Sequence, residues 1–166
     1  HTLLRALDQV PHQQWKLDIV GNLEADLYYS LAMQRHVAQS GWQKQVRFWG
    51  PLDHDNLADR YREANLLVMP SEYESFGIVY LEAMSFGVPP VGSTAGAAKE
   101  IITHGENGFL IAPDDQDALS NIIKNVHTNR PYLLELSQNA RTRYEAHPTW
   151  TESCAQIHQF LQQVAP

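Results

Sequence analysis

The sequence predicts an α/β domain built on a doubly wound parallel sheet. Three observations carry that expectation. Short strand-like runs alternate with longer stretches of helical spacing along the whole chain. One run, NLLVMP (Asn65 to Pro70), is apolar almost throughout, as a strand buried on both faces is. Most strand-like runs end at Gly or Pro before the next helix, which is the rhythm of βα units.

The elements follow in order. Thr2 to Val10 sets Leu3, Leu4, Leu7 and Val10 at helical spacing, and Pro11 stops it. WKLDIVG (Trp15 to Gly21) alternates apolar and polar and reads as a strand. Glu24 to Ser40 reads as a helix, with Gly41 as its stop. QVRFWG (Gln45 to Gly50) is a second strand, and Asp53 can cap the helix after it. Beyond NLLVMP come a helix from about Phe76 to Phe86, a strand at Val88 to Ser93 and a short helix near Ala98 to Thr103. Gly108 to Ile111 is the last strand, followed by helices from Asp114 or Asp115 to His127, from Pro131 to Glu145, and from the PTW segment (Pro148 to Trp150) to about Val164.

The 166 residues suffice for one domain, spanning 1–166, with a real core. A net charge of -7 without a basic run speaks against a nucleic-acid partner. No apolar run approaches a membrane span. The single Cys154 excludes an internal disulfide and fits a reducing compartment.

Chemistry concentrates between Ser71 and Ser93. Ligands of parallel α/β sheets bind beyond the carboxyl ends of strands, and Asn65 to Met69 aims that end at the loop from Pro70 to Phe76. The following helix opens with Ser75-Phe76-Gly77, whose free N–H groups suit a phosphate. Glu74 stands at the helix mouth and Glu82 about two turns inside, roughly 10 Å away. Carboxylates accept hydrogen bonds from hydroxyls and can hold a vicinal diol. A ligand with a diphosphate between two polyols, a sugar and a ribose, would satisfy all three. Taken singly, each Glu is as well read as a solvated surface acid.

The whole block is more specific. PSEYESFGIVYLEAMSFGVPPVGS (Pro70 to Ser93) resembles the donor-site signature of the retaining glycosyltransferases of GT-B fold, the group 1 family that includes sucrose-phosphate synthases and many lipopolysaccharide mannosyltransferases. Pro70, Ser71, Glu74, Phe76, Gly77, Glu82, Ala83, Gly87 and Pro89 match its pattern. The resemblance continues through LDIVGN, VRFWGPL, AGAAKEII and GENGFLIAPDD. It implies a Rossmann-like domain, the C-terminal half of such an enzyme, that binds a nucleoside diphosphate sugar. Glu82 would hold the ribose hydroxyls and Glu74, the catalytic candidate, hydroxyls of the donor sugar. N–H groups at Ser75, Phe76 and Gly77 would meet the sugar and diphosphate. Gly50, Pro51 and Leu52 would border the base, and Gly21 would lie near the phosphates. Neither a metal nor a resident cofactor is implied.

The resemblance further implies that the domain's first strand, an Arg and a Lys that neutralise the diphosphate, and an N-terminal domain holding the acceptor all lie upstream of His1. The acceptor would be a sugar or lipid-linked glycan, and the protein cytoplasmic, with peripheral attachment to the inner membrane face as a variant. Three positions depart from the pattern: Ala97 replaces the second of two glycines, Pro90 stands where a β-branched residue is usual, and Leu23 replaces a glycine.

Other residues offer less. The eight histidines are scattered without ligand spacing and read as surface residues. Cys154 reads as a buried structural thiol, and Trp15, Trp42, Trp49 and Trp150 as core or packing residues. The acids Asp114, Asp115 and Asp117 fit a helix start. Two alternatives to a transferase stay open: a sugar-nucleotide epimerase sharing the architecture, and a non-catalytic nucleotide-binding module.

Overall fold

The computed structural model of the chain describes residues 1–164. Helix α1 (Thr2–Leu7) buries Leu4, Ala6 and Leu7, and a 3-10 turn at His12–Gln14 leads to strand β1 (Leu17–Val20). Helix α2 (Leu27–Gln39) begins where the Asp26 carboxylate accepts the Tyr29 N–H and ends before Gly41, which takes φ +72°. Strand β2 (Val46–Gly50) pairs in parallel with β1. Asp53 caps helix α3 (His54–Glu63) through the Asn56 N–H at 2.9 Å.

Strand β3 (Leu67–Met69), helix α4 (Ile78–Ser85), strand β4 (Pro90–Ser93), the short helix α5 (Ala98–Ile101) and strand β5 (Phe109–Ile111) form a second group, all parallel in the order β3-β4-β5. Helix α6 (Gln116–Thr128) starts on the Asp115 carboxylate, as the acidic run predicts. Helix α7 (Arg130–Glu145) packs along α4, with Ser137 donating to the Gly87 carbonyl, and α8 (Trp150–Val164) follows.

The strands therefore form two hydrogen-bonded groups rather than one continuous sheet. In the doubly wound order 3-2-1-4-5-6, β2-β1 takes places 3-2 and β3-β4-β5 takes places 4-5-6, so β1 and β3 are not hydrogen-bonded neighbours among the described residues. One core joins the groups. Leu17, Ile19 and Phe48 pack in the same cluster as Val68, Val91, Phe109 and Ile111, beneath Leu4, Leu7, Leu119 and Leu136. Burying a Leu of this kind is worth about 1.5–3 kcal/mol.

Four expectations change. β3 is half-buried rather than buried on both faces, since Leu67, Val68 and Met69 all keep some exposure. No described residue of the last helix is buried: Trp150 is 87% exposed and Cys154 is exposed, so neither is a core residue. Ile157, Phe160, Leu161 and Val164 share that apolar stripe at helical spacing, and no described residue covers it. Helix α4 starts at Ile78, later than Phe76, because Gly77 adopts a left-handed conformation. Pro90 heads β4 fully buried, where its missing N–H is tolerated at the strand's first residue.

Candidate functional site

The carboxyl ends of β3 and β4 open into two loops that are tied together. The Glu74 N–H donates to the Ala95 carbonyl at 3.3 Å, and the Ala97 N–H donates to the Glu74 carbonyl at 2.8 Å. Gly96 lies between them at φ +102°, and a Cβ there would sit 2.2 Å from the Glu74 carbonyl oxygen. Only glycine fits that crossing. Ala97 has φ −81° in the helical region, where a Cβ costs nothing, so its departure from the two-glycine pattern leaves the crossing intact.

The Glu74 side chain turns back onto the head of α4. Its Oε1 accepts the Gly77 N–H at 3.0 Å and the Phe76 N–H at 3.2 Å. Two of the three N–H groups expected to face a donor are thus held by this chain's own carboxylate. The spacing of three residues from Glu74 to Gly77 is that of a capping side chain, which is the sequence signal for this contact. An anionic oxygen therefore already sits at the helix head, where the helix dipole favours negative charge. A phosphate arriving there must share or displace the Glu74 carboxylate. Ser75 and Phe76 are exposed on the loop, Phe76 at 78%, with Tyr73 and Ile78 exposed beside it.

Below the loop, Tyr80 is fully buried and its hydroxyl has no protein partner. Burial pushes the phenol up to about 12, with the Glu74 charge adding to the effect. The hydroxyl is therefore neutral at ordinary pH.

Glu82 is exposed on α4. Because the helix begins at Ile78, Glu82 lies little more than one turn inside, about 6 Å along the axis, rather than two turns and 10 Å. Its Oε2 accepts the Tyr61 hydroxyl of α3 at 3.4 Å. Glu74 and Glu82 form no ion pair among the described residues.

Gly21 and Gly50 meet at the carboxyl ends of β1 and β2, where the Gly21 N–H donates to the Gly50 carbonyl at 3.0 Å. Pro51 is exposed and Leu52 half-buried as the chain turns into α3. The structure thus gathers the predicted residues into two groups, Gly21 with Gly50 to Leu52, and Glu74 to Gly77 with Glu82. Among the described residues no hydrogen bond joins them. Trp49 is a packing residue, with the Arg47 and Arg60 guanidiniums 4.8 and 4.9 Å from its ring and its N–H on Asp18. Trp42 is buried, receives the edge of Trp15, and donates to His12 Nδ1. Among the described residues no group of three His, Cys, Asp or Glu is placed to hold a metal ion.

The sequence profile described as "Glycosyl transferases group 1" matches residues 1–143. The chain belongs to that family. It is 36% identical over 119 residues to the lipopolysaccharide core biosynthesis mannosyltransferase LpsB of Rhizobium meliloti, covering 70% of this chain and 33% of that one. Its fold matches Anabaena HepE, solved in complex with UDP, with a TM-score of 0.90 at 28% identity, over 99% of this chain and 45% of that one. HepE has also been solved with UDP-glucose. The C-terminal domain of the LpcC glycosyl transferase from Francisella tularensis shares the fold at a TM-score of 0.71 and 21% identity, over 87% of this chain and 91% of that domain. The chain thus has the fold of a C-terminal domain of the GT-B glycosyltransferases and spans less than half the length of LpsB and HepE.

Proposed function

We propose that this chain is the donor-binding half of a retaining glycosyltransferase that moves a hexose from a nucleoside diphosphate sugar to a sugar or lipid-linked acceptor. The observation that carries the reading is the head of α4. It holds a carboxylate, Glu74, on two backbone N–H groups, with a second exposed carboxylate, Glu82, one turn along the same helix. A diphosphate answers the N–H groups, a sugar hydroxyl set answers Glu74, and a ribose diol answers Glu82. The UDP and UDP-glucose complexes of HepE support a nucleotide sugar as the ligand.

In this reading the helix head and its dipole meet charge that grows on the leaving diphosphate, a pre-organised electrostatic contribution. Ser71 to Ser93 contains no Lys or Arg, so further cationic groups come from outside that block. Gly21 and Gly50 to Leu52 border the phosphates and base with backbone alone. No step is assigned to a resident metal. The acceptor is held by the rest of a longer chain, a placement supported by the greater length of LpsB and HepE and by the uncovered apolar stripe of α8. The protein works in the cytoplasm, at the inner membrane face where the acceptor is lipid-linked.

Product analysis of the full-length protein with UDP-, GDP- and ADP-hexoses and a panel of glycan acceptors tests this. Transfer with retained anomeric configuration is expected. Hydrolysis, epimerisation or binding without turnover would replace the reading.

A further inference from the structure

Glu82 is exposed, and one side-chain contact ties it to the fold. Glu82 and Phe86 are four residues apart, so both project from one side of the end of α4. Tyr61 of α3 meets both. Its ring stacks on Phe86, with centroids 5.4 Å apart and an interplanar angle of 18°, and its hydroxyl reaches Glu82 Oε2 at 3.4 Å. Arg62, the next residue on α3, places its guanidinium 5.6 Å from the Phe86 ring and is itself paired with Asp59. The Tyr61 ring is buried against Ala83 and Val88, so its hydroxyl has little freedom of position.

The geometry points to Tyr61 as a positioning residue for the proposed donor site, one that fixes the Glu82 carboxylate so that its remaining lone pairs meet a ribose diol. This rests on the ribose role of Glu82. A carboxylate has about four acceptor sites, and Tyr61 occupies one of them on Oε2. The others stay open toward solvent. Tyr61 acts only as a donor here: burial, with the Glu82 charge behind it, pushes the phenol up to about 12, so the proton stays on the hydroxyl. A phenol anchored by stacking loses little entropy in making the bond, whereas a free Glu loses rotamer freedom when a diol binds. Tyr61 therefore takes on part of the ordering before the ligand arrives.

The test compares wild type, Tyr61→Phe, Glu82→Ala and the double variant in the full-length protein. Calorimetry uses whichever of UDP, GDP and ADP binds most tightly, against its 2′,3′-dideoxy form. Tyr61→Phe keeps the ring on Phe86 and the melting temperature. It is expected to weaken the ribonucleotide by about two- to tenfold, the range for one ordinary hydrogen bond, and to leave the 2′,3′-dideoxy form nearly unchanged. In the double variant the two effects should not add. A purely structural Tyr61 would weaken both nucleotides equally, and that result overturns the proposal. Normal ribose discrimination in Tyr61→Phe, with discrimination lost in Glu82→Ala, removes Tyr61 and leaves Glu82 in place. Unchanged discrimination in Glu82→Ala removes the ribose role of Glu82 and this proposal with it.

Discussion

Gly96→Ala should damage the site more than its small size implies. The added Cβ would lie 2.2 Å from the Glu74 carbonyl oxygen and 2.9 Å from the Glu74 nitrogen. Both are backbone atoms of a loop tied by two hydrogen bonds to residues 95 and 97, so no flexible side chain can yield. The φ of +102° adds strain that any L-residue feels. Overpacking of this kind costs about 1–3 kcal/mol, and an ill-fitting backbone conformation about another 1–3 kcal/mol. The sum, about 2–6 kcal/mol, is a large part of the 5–15 kcal/mol typical of a domain. The chain can escape part of it by pushing the Glu74 loop outward, which breaks the cap on Phe76 and Gly77. Urea unfolding should show a lower midpoint, and calorimetry a weaker nucleotide sugar. Ala97→Gly, the control, should do neither beyond about 1 kcal/mol. A Gly96→Ala protein with unchanged midpoint and unchanged affinity would refute the claim that this glycine holds Glu74 in place.

Four further outcomes are expected. Glu82→Ala should weaken nucleotide binding by about 1.5–3 kcal/mol, the range for hydrogen bonds to a charged group, as read by calorimetry. Tyr61 and Tyr80 keep their protons up to about 12 in the fold but release them near 10 once unfolded, so stability should be full below pH 10 and fall from there toward pH 12. An ultraviolet titration of the folded protein should show those two phenols ionising only as the pH approaches about 12. The 166-residue chain alone should release no nucleoside diphosphate from nucleotide sugars with acceptors present, because a helix head supplies about 0.3–2 kcal/mol against the roughly 8 kcal/mol minimum of enzymatic rate enhancement.

Much of this was legible in the chain because the signals are local. The run of Asp114 to Asp117 marks the start of α6, and Asp53 marks that of α3, since capping needs only a carboxylate three residues before an N–H. What stayed hidden depends on distant partners. Strand pairing is not written in any one strand, so the register of β1 on β2 and of β4 between β3 and β5 shows only in the structure. The need for glycine at 96 comes from a loop 22 residues upstream. Trp150 and Cys154 carry the residue types of a core, yet helical spacing shows only that a face is apolar, not what covers it. The Tyr61 hydroxyl likewise meets Glu82 only because α4 lies against α3, which no local pattern around residue 61 records.

The most direct test of the account is hydrogen exchange of the full-length protein, with and without saturating UDP, GDP or ADP and their hexose conjugates. Whichever nucleotide sugar binds by calorimetry should slow exchange at the Phe76 and Gly77 amides and along the first turns of α4, with added protection at the amides of Trp49, Gly50, Leu52 and Asp53. Tight binding that leaves the 74–82 segment exchanging as in the free protein would contradict it.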